Sequence, residues 1–493
     1  MAFRFESTAG ARRPIGLGSW VLPVALATAA ALGAAVGLGG SAMRLALLSL
    51  AALAVPLLLV LPTFRVVEVA LAALYLSRLG VLVGAPSAIN HLHFPLLVLA
   101  AAMATRAPDR SPRRIASSIG VAAIGLLVIA VLSAIANGAG VAAATLVWLV
   151  FAEPFLLIYA IVRDPPVGGD LTRTGRLLIA FAVLQVPFAV WQAATLGRGD
   201  VVQGTFVAQG AGAHVMGAAS VVAAVFVAST SVVRPPRLRT IVTVLLLLLP
   251  VLADAKQVLT LFIVAFAMVS AMRSPKYWRA SLVGGVALAG MLALVVKYVP
   301  GWQLLTNTRL FVDGLAHKVG IFALIHSYFD SWSDWLLGIG PGNTVSRISL
   351  MALSDYGGRS SLLPRLGVDA SPIATRLFAM DVESYLARSG TGSSAWSFVF
   401  SWAGLFGDLG LLGVASYLWL GFVVWRATRG LGADRRFNGA HITMMALALL
   451  AAVYTYLEEP GATLAAAGWI AFVIAERHTN GAGDRDSRAR DNS

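Results

Sequence analysis

Residues 298–395 hold many of the side chains in this chain that could do chemistry. Four of them could accept a proton from a hydroxyl group as a general base: His317, His326, Asp381 and Glu383. Asp313 precedes His317 by four residues, so a helix would place both on one face. Such a pair would fix the imidazole in one tautomer, or it would be a surface salt bridge worth under ~1 kcal/mol. The stretch therefore predicts proton transfer, and any of the four residues could be the base.

Asp381 and Glu383 are also the most obvious metal ligands of the stretch. Their spacing of two residues directs them to different sides of a helix. We therefore expect no metal and no other cofactor.

Basic side chains are the second chemical feature of the stretch, which contains Arg309, Lys318, Arg347, Arg359, Arg365, Arg376 and Arg388. Cations near a leaving diphosphate would stabilise the charge that develops on it. Lys256 is a further candidate, because it stands with Asp254 between two apolar runs. Lys256 either pairs locally with Asp254 or binds an anion.

Two glycine-rich segments could approach a ligand closely. The turn GIGPGN contains Gly340 and Asn343, and its backbone N–H groups could face an anion, although most such turns only reverse the chain. Residues 199–217, GDVVQGTFVAQGAGAHVMG, contain Gln209 and His214. His214 is either a cap or interface residue at a helix start or a functional histidine.

The composition places these residues in a membrane protein. The chain has 493 residues, of which 58% are hydrophobic and 12% charged, and its mean hydropathy is +0.81. That leaves too little polar surface for a soluble protein of this size. The formal charge of +14 is then explained by basic cytoplasmic loops and not by nucleic acid. With no cysteine, there is no disulfide or thiolate chemistry.

Apolar runs without strand-like alternation predict an all-α polytopic fold of about 12–14 transmembrane helices. The predicted spans are 17–39, 44–62, 65–83, 89–105, 115–136, 141–162, 176–195, 214–232, 240–253, 258–272, 280–297, 396–425, 439–457 and 462–476. The divisions are a lead (1–16), eleven helices (17–297), the large loop (298–395), the last helices (396–476) and a disordered tail (477–493). Part of the large loop, DGLAHKVGIFALIHSYF, predicts an amphipathic helix.

Basic residues cluster on alternate loops, as the positive-inside rule requires. This pattern predicts an even number of spans with both termini in the cytoplasm. The large loop is then extracytoplasmic, and the loops on its side, such as EEPGAT, are neutral or acidic.

The segment WLLGIGPGN and the later FSWAGLFGDLGLLGVASYLWLGFVVW resemble motifs of the O-antigen ligase and polysaccharide polymerase family. Asp408 stands where that family commonly has Glu. QGTFVAQGAGAHVMGAA is similar to the family's earlier Gly-x-Phe segment. DAKQVLTLFIVAF is similar to its short outer turn, with Ala255-Lys256 in place of Ser-Arg. The resemblance covers about residues 200–427 and depends on the order and spacing of the motifs.

The resemblance implies an inverting glycosyltransferase with a GT-C-like bundle that uses a polyprenyl-pyrophosphate-linked glycan as donor. The positions that match the family's pyrophosphate-binding arginines are Lys256 and either Lys318 or Arg309. A lysine there binds phosphate as a point charge instead of a bidentate fork. The expected substrate-binding residues are Gln209, His214, Gly340, Asn343 and Asp408 in these segments, together with Arg347 of the large loop.

The chain departs from the family where many members have a His shortly before the Glu-x-Gly segment. Here Ser393, Ser394, Trp396 and Ser397 occupy that region. The base is then one of the four residues given above, or positioning and pyrophosphate departure suffice.

The leading functional hypothesis is a polymerase of lipid-linked repeat units for a cell-surface polysaccharide, in the bacterial cytoplasmic membrane. The alternatives are a ligase that transfers the glycan to a lipid acceptor, and a flippase or secondary transporter of lipid-linked sugars. The expected partners are lipid-linked donor and acceptor, membrane lipid, and chain-length-regulator and flippase proteins, with no nucleic acid.

Overall fold

The computed structural model describes residues 61–82, 90–107, 113–166, 169–207, 212–273, 308–356, 363, 367–387, 399–429 and 435–491. Within these ranges the chain forms fifteen α-helices, a 3-10 helix at Tyr456–Glu458 and no strand. The predicted spans 17–39 and 280–297, and all but the last two residues of 44–62, lie outside the described residues.

The helices are numbered in chain order. They are α1 (Thr63–Leu82), α2 (His93–Ala104), α3 (Arg113–Ala136), α4 (Val141–Arg163), α5 (Gly169–Thr195), α6 (Gly212–Ser229), α7 (Pro236–Leu252), α8 (Lys256–Arg273), α9 (Thr308–His326), α10 (Trp332–Leu337), α11 (Arg347–Tyr356), α12 (Pro372–Ala387), α13 (Ser401–Arg429), α14 (Arg435–Leu450) and α15 (Pro460–Asp491).

The all-α membrane fold predicted from composition is confirmed. In the part of the chain that the structure describes, five helices are long and apolar enough to cross a membrane, namely α3, α4, α5, α6 and α13. Shorter apolar helices lie within α2, α8 and α14. Each predicted span in the described ranges overlaps a helix, with differences of up to several residues at the ends. A helix satisfies every backbone hydrogen bond internally, which is the condition for crossing lipid.

Helix α15 lies at the centre of the bundle. Its residues 460–475 are buried on every side, and it packs against α1, α4, α5, α6 and α14. Its first turns, PGATLAAAG, are small enough to let neighbouring backbones approach. At Gly461 a Cβ atom would lie 2.3 Å from Val215 Cγ1, so no larger residue fits without movement.

Helix α15 continues to Asp491, within the segment 477–493 that the sequence predicts to be a disordered tail. A helix already nucleated in the bundle gains one hydrogen bond for each further residue without a second nucleation cost. The disorder of this segment stays a prediction.

The structure describes four helices within the large polar loop, α9 to α12, and the predicted amphipathic helix corresponds to α9. These helices have a hydrophobic core of their own: Ile321, Ile325, Val345, Ala374, Leu377, Phe378, Val399, Phe400, Ala403 and Phe406. The last residues of this core belong to α13 or directly precede it, so the loop packs onto the bundle through shared apolar contacts. That packing substitutes for the disulfides that the chain lacks.

The glycine-rich turn is fixed by Asp408, whose side chain is fully buried in α13. One carboxylate oxygen accepts a hydrogen bond from Gly342 N at 2.8 Å. The other accepts from Thr344 N at 3.0 Å and from Thr344 Oγ1 at 2.6 Å. The N–H groups of this turn therefore do bind an anion, and that anion is the chain's own carboxylate.

Close backbone contact makes the same junction rigid. Ile339 N donates to Gly407 O at 2.8 Å, and a Cβ atom at Gly338 would lie 2.4 Å from that oxygen. Helix α3 supports both sides, because Ser133 Oγ donates to Asp408 O and Asn137 Nδ2 donates to Gly338 O. The turn, α3 and α13 thus form one unit.

We expect Gly338→Ala to destabilise the protein strongly. Gly338 has φ +71°, and its new methyl group would collide with backbone that cannot rotate away. Gly367→Ala is the matched control, since Gly367 has φ +75° and no heavy atom lies within 4 Å of its Cβ position. The control should cost about 1 kcal/mol from backbone strain, and Gly338→Ala about 3 kcal/mol more from overpacking. Denaturant unfolding in detergent micelles measures both, and equal losses would contradict the packing described.

Candidate functional site

Polar side chains from four separate parts of the chain meet at one end of the bundle. We call Arg347, Glu458, Glu459, Tyr456, Gln257 and His214 the polar cluster. Four helices begin at it, namely α6, α8, α11 and α15. Because the N-terminus of a helix carries unpaired N–H groups and a partial positive charge, this end of the bundle favours an anion.

Arg347 is the centre of the polar cluster. Its backbone N–H donates to Glu458 Oε2 and its guanidinium donates to Glu458 O, both at 2.5 Å. The same guanidinium lies 2.8 Å from Glu459 Oε2, and these two side chains are 12% and 5% exposed. Arg347 thereby joins the polar loop to the segment 451–459 that leads into α15.

Glu458 combines burial with an available oxygen. Its Oε1 is buried and has no hydrogen-bond partner among the described residues. Burial raises the pKa of Glu458 to about 8, and the negative charges of Asp408 and Glu459 act in the same direction. The Arg347 N–H lowers that pKa by a smaller amount. Such a carboxyl group exchanges protons near neutral pH.

His214, in the first turn of α6, lies between the side chains of Gln257 and Asp200. Its Nδ1 is 3.4 Å from Gln257 Nε2, and its Nε2 is 3.8 Å from Asp200 Oδ1. Its ring centroid is 6.5 Å from that of Tyr454. The 3.8 Å separation between His214 Nε2 and Asp200 Oδ1 is too long for a hydrogen bond, and it allows an ion pair if the imidazole is protonated.

Two glutamines of α5 hold the segment that precedes His214. Gln192 Oε1 accepts from Gln203 N at 2.8 Å and from Gly204 N at 2.7 Å. Gln185 Oε1 accepts from Thr205 N at 2.9 Å. These side-chain contacts fix the QGTF motif beside the polar cluster. The sequence analysis gave Gln185 and Gln192 no role, although a glutamine in an otherwise apolar predicted span could have indicated one. Gln209 lies outside the described residues.

Lys256 lies next to the polar cluster and forms the local pair that was one of its two interpretations. Its Nζ is 3.0 Å from Asp254 Oδ2, and 15% of its side chain is exposed. Asp254 has φ +54°, which turns the chain sharply between α7 and α8. The pair places a cation and an anion together at the start of α8.

Lys318 connects α9 to the segment 451–459. Its Nζ donates to Val453 O at 2.7 Å and lies 5.4 Å from the Phe400 ring centroid. Burial lowers the pKa of Lys318 to about 8, while Asp381 opposes that shift. Lys318 is therefore close to the polar cluster, with its ammonium directed at a carbonyl. The side chain of Arg309, in the first turn of α9, lies outside the described residues.

The four predicted bases lie on α9 and α12. His326 is exposed and its ring centroid is 4.6 Å from that of Trp335, and Glu383 is exposed. His317 and Asp381 are partly buried, and Asp381 is within electrostatic range of Lys318.

Gly340, Asn343 and Asp408 are brought together, as their motifs predict, and their contacts are internal. Gly340 and Asp408 are buried, and Asn343 Nδ2 donates to Ile339 O at 2.8 Å. Asp408 is within electrostatic range of Glu458, so the turn lies directly behind the polar cluster. Their geometry supports the site without exposing these groups to a substrate.

Several residues of the site had no predicted role in it. Arg78 is within electrostatic range of Arg347 and Glu459, and His91 is within range of both arginines. Glu458 and Glu459 stand in the short segment EEPGAT, where two acids between apolar spans were the available signal. Within the described residues, no group of three His, Asp or Glu side chains has the arrangement of metal ligands.

We expect Arg347→Gln to destabilise the protein by about 3 kcal/mol, since it leaves the buried Glu459 carboxylate without this cation. The double variant Arg347→Gln/Glu459→Gln should recover part of that loss. Arg376→Gln removes an exposed arginine of α12 and serves as the control. Denaturant unfolding in micelles measures the coupling, and additive losses in the double variant would show that the two side chains do not interact.

We expect the stability of the wild-type protein to decrease as the pH rises through about 8. Because the pKa of Glu458 is raised from 4.5 to about 8 by folding, the folded state keeps a proton that the unfolded state has lost. The stabilisation is complete below about pH 4.5 and is lost as pH passes about 8. Glu458→Gln should flatten this part of the profile, and the exposed Glu383→Gln should not. Melting temperatures between pH 5 and 9 test this, and identical slopes for the two variants would refute it.

The chain was also compared with known proteins. No protein-family model and no curated protein matches it. Its function is therefore argued from its own residues and their arrangement.

Proposed function

We propose that this membrane protein is a glycosyltransferase that polymerises polyprenyl-pyrophosphate-linked repeat units into a cell-surface polysaccharide. The observation that carries the proposal is the convergence of Arg347 with four helix N-termini beside Lys256 and Arg78. A diphosphate needs such a positive environment, and the charge pattern of the loops assigns this end to the outer face.

The chemistry follows from an activated donor. The acceptor hydroxyl attacks the anomeric carbon from the face opposite the pyrophosphate, the bond from that carbon to the pyrophosphate oxygen breaks, and the hydroxyl proton passes to a base. Cations and helix termini stabilise the leaving diphosphate in this step. The reaction therefore needs positive groups and one proton acceptor, in fixed positions, and no redox partner.

Glu458 joins the four predicted residues as a candidate base. Its buried Oε1 has no partner in the described part of the chain, and its raised pKa suits proton exchange near neutral pH. The carboxyl is held in position by the N–H of Arg347, the same residue that supplies positive charge. This position supports Glu458 over His326 and Glu383, which are exposed on the loop.

A transporter of lipid-linked sugars is less well supported. A transport pathway requires ionisable groups through the bundle, and the buried ones described there are paired. His93 of α2 pairs with Glu153 of α4, and Glu68 of α1 pairs with Arg65 at 2.6 Å. In the polar cluster, by contrast, the buried carboxylate oxygen Glu458 Oε1 has no hydrogen-bond partner among the described residues.

We expect purified wild-type protein in vesicles to convert lipid-linked repeat units into longer chains without any other protein. Lys256→Ala, Lys318→Ala and Arg347→Lys should each lower the rate, because each removes a charge or a bidentate contact at the site. Glu458→Gln should lower kcat by about 100-fold or more if it is the base. Arg376→Ala, an exposed cation of α12, is the control.

Two outcomes would contradict this proposal. Full transfer activity in Lys256→Ala and Lys318→Ala together would remove the site assignment, and translocation of the lipid-linked unit without elongation would indicate a transporter. A deletion strain distinguishes polymerase from ligase on gels. Loss of a polymerase leaves single repeat units attached to the acceptor, whereas loss of a ligase leaves the acceptor without glycan.

A further inference from the structure

A cavity lies on the side of the bundle, and Leu457, the chain neighbour of Glu458 in the polar cluster, is among the residues that line it. We call it the lateral groove, and its volume is about 400 Å³. Its walls come from α4, α8, α13, α14 and α15, and include Phe155, Tyr417, Phe422, Met444 and Ile470. Among the described residues that line the lateral groove, Arg429 alone has a charged side chain.

The lateral groove opens where the protein presents apolar side chains outward. Leu418 is 54% exposed, Phe422 47% and Met272 66%, and all three line it. Helices α4 and α13 are among those long and apolar enough to cross a membrane. Large exposed apolar side chains on such helices lie against hydrocarbon, so the groove opens to lipid chains and not to water.

The lateral groove extends along the membrane-crossing direction. Trp402 in the first turn of α13 lines one end, and Arg429 in the last turn lines the other. These residues are 27 positions apart, or about 40 Å along a straight helix, which is the thickness of a bilayer with its headgroups. Helix α13 bends at Gly410, so the actual separation is shorter. An extended hydrocarbon chain fits this shape.

The position of Arg429 favours one class of lipid. Arg426 and Arg429 end α13, and Arg435 follows, which makes this the basic end of the helix, opposite the polar cluster. Phosphate groups of anionic lipids lie at this depth and are attracted to such arginines. A lipid-linked sugar would have its diphosphate at the other end, near Trp402 and Leu457.

We propose that the lateral groove binds an anionic phospholipid, with one acyl chain along α13 and its phosphate paired with Arg429. The occupant is a component of the leaflet that faces the basic loops. The proposed phosphate position at Arg429 is at the opposite end of the groove from Leu457 and the polar cluster, so this proposal does not depend on the proposed glycosyltransferase activity.

Native mass spectrometry of the full-length protein tests the proposal, with phosphatidylglycerol and phosphatidylcholine of identical chains as probes. Wild type should retain one phosphatidylglycerol and bind it more tightly than phosphatidylcholine. Arg429→Gln should weaken phosphatidylglycerol binding about fivefold and phosphatidylcholine binding by a smaller factor, because the choline cation of the second lipid already offsets its phosphate charge. Arg426→Gln is the matched control, because Arg426 is an exposed arginine one turn earlier that does not line the groove.

A second variant tests the chain-binding part without changing charge. Gly421 lines the lateral groove, and no heavy atom lies within 4 Å of its Cβ position, so Gly421→Trp fills the groove without a backbone clash. It should weaken binding of both lipids, while its melting temperature in detergent shows that it folds. Equal phosphatidylglycerol affinity in Arg429→Gln and Arg426→Gln would overturn the proposal. Tighter binding of undecaprenyl phosphate that is insensitive to Arg429, or displacement of the lipid by inorganic phosphate alone, would also overturn it.

Discussion

The buried carboxylate of Asp408 is the contact on which the rest of the site depends. It accepts three hydrogen bonds from a turn more than sixty residues earlier, and no water is needed to satisfy them. Leaving those N–H groups unpaired in an apolar interior would cost several kcal/mol in total. Asp408 thereby determines where the polar loop meets α13, and Arg347 follows the turn directly. The position of Arg347 against Glu458 and Glu459 is a consequence of that junction.

The polar cluster brings together opposite charges and helix termini in a small volume. While no ligand is bound, the positive charge of Arg347 is compensated by its contacts with Glu458 and Glu459. An entering diphosphate would compete with Glu459 for the same guanidinium, so the acid would have to move or take up a proton. The cluster therefore has positive charge available to a ligand without being an uncompensated buried cation in the free protein.

Much of the fold could be predicted from the sequence, because a helix that crosses lipid requires a long run of apolar residues. The prediction failed where a local rule was incomplete. Leu450 ends α14 seven residues before the predicted end at 457, since turns and a 3-10 helix continue the apolar composition without continuing the α-helix.

The site was predictable only in part. The order of the motifs predicted that GIGPGN and GDLG belong to one site. It did not predict that Asp408 accepts hydrogen bonds from the turn, because the sequence does not distinguish a carboxylate that binds its own chain from one that acts on a ligand. Glu458 and Arg78 are placed at the site by contacts between helices that are far apart in the sequence. No local spacing encodes such contacts, since they depend on how the apolar surfaces of α1, α11 and α15 pack.

The burial of α15 on all sides has a consequence for biosynthesis. Helix α15 follows α1, α4, α5, α6 and α14 in the chain, and all five pack against it. Those helices are synthesised before their common partner, so the centre of the bundle stays open until α15 has been made. The same late step brings Glu458 and Glu459, which directly precede α15, to Arg347.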